Sequence, residues 1–133
     1  MTCFWKGIIY NLDSKDLKFF NIKSKSVKNK NILQLISELK RLNVKTYHCT
    51  WNGNTLSEKQ LQENYDHITN YDIKTINNGY YCSCSDPFLF LLSYLLNINI
   101  YHNYNGYIIK YNVNANKNNK TLHFISNNEH FGI

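Results

Sequence analysis

The chain has 133 residues, of which 43% are hydrophobic and 15% aromatic. This length and composition predict one folded domain over residues 1–133 and exclude an intrinsically disordered chain. The formal net charge is +6, but Arg41 is the single arginine among the positive residues, so we do not expect a nucleic-acid partner.

The number of cysteines and the length of the longest apolar run indicate which cellular compartment to expect. The four cysteines are Cys3, Cys49, Cys82 and Cys84, a low density for a chain of this length. This density, without a leader sequence, predicts reduced thiols and a cytoplasmic protein. No apolar run approaches the roughly 20 residues that span a bilayer, so no membrane association is expected.

The first half of the chain predicts two helices. Cys3 to Tyr10 is compact and apolar and indicates the start of a buried helix. Asp13 to Lys30 is rich in lysine and is predicted to be a surface connection. Asn31 to Leu42 has apolar residues at helical spacing, which predicts one amphipathic helix.

The middle of the chain predicts a short strand and a capped helix. Val44 to Trp51 is rich in β-forming residues and predicts the strand. In the stretch from Thr55 to Asp66, Thr55 is followed three residues later by Glu58, the spacing of a capping box.

A central helix is predicted next. Ser85 or Asp86 can cap it, Pro87 suits its first position, and the apolar pattern continues to Leu95.

The last part of the chain predicts a sheet. Asn99 to His102, Gly106 to Val113 and Thr121 to Ser126 each indicate a strand, with short polar connections between them. Helices therefore come first and hairpin-linked strands last. The predicted class is α+β, with helices packed on a small, mostly antiparallel sheet.

Two residues at opposite ends of the chain suggest cysteine chemistry. Cys3 lies where a helix begins, and the free N–H groups and dipole of a helix N-terminus stabilise a thiolate. His130 follows the last predicted strand and could accept the thiol proton. The spacing alone does not select this pair, because the chain has four cysteines and five histidines.

The order of several short blocks resembles the ovarian-tumour (OTU) family of cysteine proteases, within the papain-like superfamily. The blocks, in chain order, are Cys3-Phe4-Trp5-Lys6-Gly7-Ile8, then Gly79-Tyr80-Tyr81, then Asp86-Pro87-Phe88-Leu89, then Ile98 to Tyr101, and finally Leu122 to Ile125 with His130-Phe131. The chain departs from the family in two places. The family's Asp-Gly-Asn run before the cysteine is replaced by Met1-Thr2, and Gly132 stands where an Asp or Asn usually follows the histidine.

The resemblance implies a thiol protease and deubiquitinase, with Cys3 as nucleophile, His130 as base and Asn128 as the candidate that orients His130. It implies cleavage after the C-terminal Gly-Gly of ubiquitin or a ubiquitin-like modifier, with no cofactor. It further implies a viral domain in the host cytoplasm that also cleaves its own polyprotein.

The expected walls of the substrate groove are Trp5, Tyr80, Tyr81 and Phe131, and Asp86 belongs to an acidic segment that would attract ubiquitin. Its other members are Glu58, Glu63, Asp66 and Asp72.

Other readings stay open. An inactive domain of the same fold could bind ubiquitin or, through its lysines, RNA. Cys82 and Cys84 are less favoured as nucleophiles, and their spacing is too short for a standard zinc pair, so no metal is expected. Of the remaining histidines, His67, His102 and His123 are interpreted as surface or strand residues.

Overall fold

The computed structural model describes residues 3–26, 28–113, 120–126 and 131–132, with residues 3, 77, 78, 131 and 132 described by their backbone alone. The helices are α1 (Cys3–Asn11), α2 (Ser14–Phe19), α3 (Asn29–Arg41), α4 (Glu58–Asn70) and α5 (Pro87–Leu96), and a 3₁₀ helix spans Ile73–Asn78. The strands are β1 (Cys49–Trp51), β2 (Asn54–Thr55), β3 (Asn99–Tyr104), β4 (Tyr107–Val113), β5 (Thr121–Ser126) and β6 (Phe131–Gly132).

The strands form one mixed sheet in the order β2-β1-β4-β3-β5-β6. Four of the neighbouring pairs are antiparallel, and β3 pairs with β5 in parallel. The predicted α+β class is therefore observed. The prediction that the last three long strands form antiparallel neighbours is wrong for β5, which pairs with β3 in parallel because its first residue, Thr121, lies beside the first residue of β3, Asn99.

One face of the sheet carries the core. Along β5 the buried residues Leu122, Phe124 and Ser126 alternate with the exposed residues His123 and Ile125. Such alternation is the period of a strand covered on one side only. The helices α1, α3 and α5 contribute about half of the buried apolar cluster, and the strands contribute a smaller share.

The predicted central helix, α5, begins as expected. Asp86 is its N-cap and accepts a hydrogen bond from the Phe88 backbone N–H, while Pro87 takes the first position. The amphipathic helix α3 is also confirmed, with Ile32, Leu35 and Ile36 on its buried face.

Two local predictions in the first half are wrong. The segment predicted to be a surface connection contains α2, which is closed by a capping box between Asp13 and Asp16 and buries Leu17. Helix α4 is capped by Ser57 with Gln60, not by Thr55 with Glu58. Thr55 instead pairs with Thr50 across the β1–β2 hairpin, so it belongs to the sheet.

Among the residues that the structure describes, every helix falls short of the length and apolar character that a bilayer crossing requires.

Candidate active site

Helix α1 starts at Cys3 and turns its apolar face inwards. Phe4, Trp5, Ile8 and Ile9 of this helix are all buried in the core. Their burial holds α1 in place against the core. Because the helix begins at Cys3, its first backbone N–H groups lie at that end. The sulfur of Cys3 lies outside the described residues.

The two ends of the chain come together at backbone level. Strand β6 begins at Phe131, directly after His130 in sequence, and pairs antiparallel with the end of β5 in the register Ser126↔Phe131. Helix α1 packs against both β6 and β5. The predicted base therefore adjoins, in sequence, a strand that contacts the helix of the predicted nucleophile. The side chains of Asn128 and His130 lie outside the described residues.

The segment from Gly79 to Tyr81 lies beside the start of α1. The Tyr80 ring packs on Phe4 with centroids 4.6 Å apart and on Trp5 at 5.7 Å. Tyr81 points away from this cluster and is 86% exposed. Gly79 has φ of +84°, which allows the chain to leave the 3₁₀ helix and run past α1. Tyr80 and Tyr81 are thus close to the helix that begins at Cys3.

Two of the predicted substrate contacts, Trp5 and Asp86, are wrong because both side chains are buried. Trp5 is fully buried among the rings of Phe4, Tyr71, Tyr80 and Phe88, so it cannot line an open groove. The helix start was correctly recognised, but its second aromatic residue points into the core. The side chain of Phe131 lies outside the described residues.

Asp86 is also buried and acts as a hub for backbone and side-chain donors. Its carboxylate accepts hydrogen bonds from the Tyr80 hydroxyl at 2.8 Å, the Ser83 N–H at 3.0 Å and the Phe88 N–H at 3.0 Å. Burial raises the pKa of this carboxyl, and the three donors oppose that rise. Asp86 therefore holds the Tyr80 segment against α5 and does not belong to an exposed acidic surface.

Sequence reasoning missed an array of polar side chains at the centre of the sheet. His102 on β3 is fully buried, and its Nε2 lies 2.6 Å from Oγ of Ser126 at the end of β5. Its Nδ1 lies 4.0 Å from Sγ of the half-buried Cys82. One signal was present: His102 follows Ile100 by two residues, so strand alternation places both on the same buried face.

The electrostatics of this array keep it uncharged at neutral pH. Burial lowers the pKa of His102 to about 4. Two causes raise the pKa of the Cys82 thiol well above its ordinary value. Burial is the larger, and the nearby charge of Asp86 is the second. A neutral thiol beside a neutral imidazole is a poor nucleophile, so this pair is not suited to attack a carbonyl.

The other described cysteines differ in exposure. Cys49 is buried, with Sγ 3.7 Å from the Phe90 carbonyl oxygen, and burial raises its pKa to about 12. Cys84 is exposed, and Cys49, Cys82 and Cys84 are all free thiols. In the described part of the chain, no three His, Cys, Asp or Glu side chains converge as a metal site would require.

Comparison with known proteins identifies no relative: no family model, no curated protein and no solved structure matches this chain.

Proposed function

We propose that the chain is a cysteine protease of the OTU type that cleaves after the C-terminal Gly-Gly of ubiquitin or a ubiquitin-like modifier. Cys3 is the nucleophile and His130 the general base. The observation that carries the proposal is the packing of α1, which begins at Cys3, against β6, which begins directly after His130. Two residues about 127 positions apart in sequence are thereby attached to backbone elements that touch.

The other cysteines support the choice of Cys3. Cys49 is shut inside the core with a pKa of about 12, and the Cys82 thiol is held neutral by burial. Cys84 is exposed but lies in a loop, without the helix N-terminus that would stabilise its thiolate. Among the four thiols, Cys3 has the backbone setting that favours a thiolate.

The mechanism is acyl transfer. The Cys3 thiolate adds to the carbonyl carbon of the substrate's last glycine, and the first N–H groups of α1 lie at the end of the helix where the oxyanion forms. The His130 imidazolium gives its proton to the leaving amine as the C–N bond breaks, leaving a thioester on Cys3. His130 then takes a proton from water, the resulting hydroxide adds to the thioester, and the carboxylate leaves as the thiol is restored.

The negative charge on the α4 side of the molecule supports the proposal that the substrate is basic. Glu58, Glu63, Asp66 and Asp72 are exposed there. A negative surface accelerates encounter with a positively charged partner, and the tail face of ubiquitin is basic. Asp86 is excluded from this surface because it is buried.

The reduced thiols support a cytoplasmic site of action, which for a viral domain would be the host cytoplasm. Cys49, Cys82 and Cys84 are unpaired, as expected for a reducing compartment. In that setting the catalytic thiol needs no reductive activation, and the viral parent polyprotein would be a further substrate.

The experiment is labelling by ubiquitin that carries an electrophile in place of its last glycine. The wild-type chain should form a covalent adduct that is lost in Cys3→Ala and in His130→Ala. Cys84→Ala is the matched control, because it removes an exposed thiol outside the proposed site and should label at the wild-type rate. Adduct formation that survives Cys3→Ala, or that is lost in Cys84→Ala, would contradict the assignment. Tight ubiquitin binding without any adduct would favour an inactive ubiquitin-binding domain.

A second candidate function is RNA binding, which the distribution of lysines favours. The exposed lysines of the first thirty residues are Lys6, Lys15, Lys18, Lys23, Lys25, Lys28 and Lys30. The acidic residues of the same stretch are Asp13 and Asp16, and both are bound by Lys120. A cleft of about 460 Å³, formed by the connection from α2 to α3 and by the first part of α3, is lined in part by Lys23, Lys28 and Lys30.

The salt dependence of binding tests this candidate. If RNA binds here, its affinity should fall steeply with salt concentration, and neutralising Lys23, Lys28 and Lys30 together should reduce the slope by about two to three ion equivalents. The matched control neutralises Lys59 and Lys74, which lie on the acidic side. An equal loss of affinity in both sets would exclude a specific site in the cleft.

A further inference from the structure

The face of the sheet opposite the core is open on its three long strands. Ile108 of β4 and Ile125 of β5 point away from the core, and each is 52% exposed. Lys110 of β4 and His123 of β5 are exposed on the same face. These positions alternate along each strand with residues that are buried in the core. The outer side of β3, β4 and β5, called the open face below, is therefore accessible to a partner.

Strand pairing places three chemically different side chains in one row across the open face. Tyr101 of β3 lies opposite Lys110 of β4 on one side and opposite His123 of β5 on the other. The Lys110 Nζ is 5.3 Å from the centroid of the Tyr101 ring. The rings of Tyr101 and His123 have centroids 5.6 Å apart and are inclined at 81°. Two aromatic rings and an ammonium group thus meet only because the sheet brings three strands together.

The neighbouring rows of the open face add apolar and amide groups. On the side of the β3–β4 turn, Asn103 lies between Ile108 and Ile125. On the other side, the Asn112 side-chain amide donates a hydrogen bond to Oδ1 of Asn99 at 2.7 Å. Amide side chains hydrogen-bond to the edges of nucleobases, and apolar groups contact their faces. The aromatic row is therefore flanked by groups that suit a base.

The charge of the open face fits an anionic partner. Asp and Glu are absent from all six described strands, whereas Lys110 stands within the aromatic row. The exposed acidic residues Glu58, Glu63 and Asp66 lie instead on α4. A phosphate backbone that crosses the described strands would meet a lysine and no carboxylate, so its approach is not opposed by fixed negative charge.

The dimensions and the rings of this face suit unpaired bases. Neighbouring strands lie about 4.8 Å apart, so three strands span about 10 Å, which accommodates about two stacked bases. A base that stacks on Tyr101 would displace the Lys110 ammonium from the ring. Stacking on an aromatic side chain contributes more than an exposed cation–π contact, and the flexible lysine is free to move to a phosphate. A duplex hides the faces of its bases and would leave the rings unused.

We propose that the open face binds single-stranded nucleic acid, with bases stacked on Tyr101 and His123 and a phosphate bound by Lys110. This inference is independent of the proposed protease function, because α1 packs into the core on the opposite side of the sheet. It also concerns a different surface from the lysine-lined cleft, which is formed by residues 21–34.

The first test measures binding of a fluorescent eight-nucleotide oligouridylate to the full chain by anisotropy. Tyr101→Ala should weaken the affinity about 5- to 100-fold, as for the loss of a stacking platform. Tyr101→Phe keeps the ring and should bind within about twofold of wild type. Tyr81→Ala is the matched control, since it removes an exposed tyrosine outside the sheet. Wild-type affinity in a folded Tyr101→Ala, or an equal loss in Tyr81→Ala, would overturn the proposal.

The salt dependence of the same binding tests the lysine. Lys110→Gln should reduce the slope of the logarithm of affinity against the logarithm of salt concentration by about 0.7, the value for one phosphate contact with a single strand. Lys74→Gln removes an exposed lysine outside the sheet and should leave the slope unchanged. An unchanged slope in Lys110→Gln would overturn the role of this lysine.

Photocrosslinking of the wild-type chain gives a result that does not depend on the folding of any variant. Peptides that carry the oligouridylate should come from residues 99–112 and 121–125. Crosslinks confined to residues 21–34 would overturn the proposal and favour the cleft. Failure of the wild type to bind the oligouridylate at low salt would also overturn it. A dimer of the chain that Ile125→Lys abolishes, together with that failure, would assign the open face to self-association instead.

Discussion

The hydroxyl of Tyr80 donates a hydrogen bond to the buried carboxylate of Asp86 across 2.8 Å. The same Tyr80 ring lies against Phe4 at the start of α1, so one side chain joins the cap of the central helix to the helix that begins at Cys3. The next residue, Tyr81, is 86% exposed. Adjacent tyrosines thus have opposite environments, and they provide a matched pair for mutagenesis.

Tyr80→Phe should destabilise the fold by about 1–3 kcal/mol, because the buried Asp86 carboxylate loses a donor that it cannot replace with water. Urea unfolding monitored by tryptophan fluorescence measures this difference. Tyr81→Phe is the control and should change the free energy of unfolding by less than about 0.5 kcal/mol. A similar loss in both variants would show that the Tyr80–Asp86 bond is not the cause.

Asp86→Ala should lower the free energy of unfolding by more than the removal of a helix cap usually does. The variant leaves the N–H groups of Phe88 and Ser83 and the Tyr80 hydroxyl without their shared acceptor. Loss of a cap costs about 1 kcal/mol and each buried unsatisfied group adds about as much, so we expect roughly 2–4 kcal/mol. Urea unfolding is again the measurement, with the exposed Asp66→Ala as control. A cost below that of the control would exclude the role of Asp86 as a hub.

The ion pairs of Lys120 should make stability depend on pH in the acid range. The hydrogen bond from Lys120 lowers the pKa of Asp13 from 3.8 to about 2. A depressed carboxyl pKa adds stability that is fully present above about pH 4 and is lost as the pH falls towards 2. Asp13 is largely exposed, so solvent screening limits this contribution to about 1 kcal/mol or less.

Lys120→Met tests that contribution. The variant should have a lower free energy of unfolding than wild type at pH 6. Between pH 4 and pH 2 this free energy should fall less steeply than in wild type. Urea unfolding at each pH measures both differences. Lys74→Met removes an exposed lysine elsewhere and should leave the pH profile unchanged. If Lys120→Met and wild type decline in parallel, the pH dependence comes from other carboxylates.

The four thiols should differ widely in their rate of alkylation. Cys84 is exposed, whereas Cys49 is buried with a pKa of about 12, so iodoacetamide at pH 8 should modify Cys84 at least about 100-fold faster than Cys49 in the native state. Peptide mass spectrometry over time gives each rate. If Cys3 is the nucleophile, it should react fastest of all at pH 6, where ordinary thiols are protonated. Comparable rates for Cys3 and Cys84 at that pH would argue against a stabilised thiolate.

Local sequence signals predicted the elements whose causes are local. The cap at Asp86 followed by Pro87 identified α5, because both residues act on the first turn of the helix that they begin. The spacing of Ile32, Leu35, Ile36 and Leu39 identified α3, because one helical face is buried. The alternation of side chains along β5 identified a strand, because one face of the strand is buried.

Errors arose where two local patterns competed or where the partner was distant. Thr55-x-x-Glu58 and Ser57-x-x-Gln60 are overlapping capping patterns, and pairing of Thr55 with Thr50 in the β1–β2 hairpin left the cap to Ser57. Helix α2 was missed because it is short and its two lysines equal its apolar residues in number. It is supported by Lys120, more than a hundred residues away, which binds Asp13 and Asp16.

The sequence by itself determined the α+β class and the central helix, since each element behind these predictions depends on residues within a few positions of one another. Only the tertiary structure decided that β5 runs parallel to β3, because a strand has the same period of two in either direction. It likewise decided that Trp5 and Asp86 are core residues and that His102 meets both Cys82 and Ser126. Burial and long-range contacts are properties of the packed sheet, and a linear pattern does not specify which residues they will bring together.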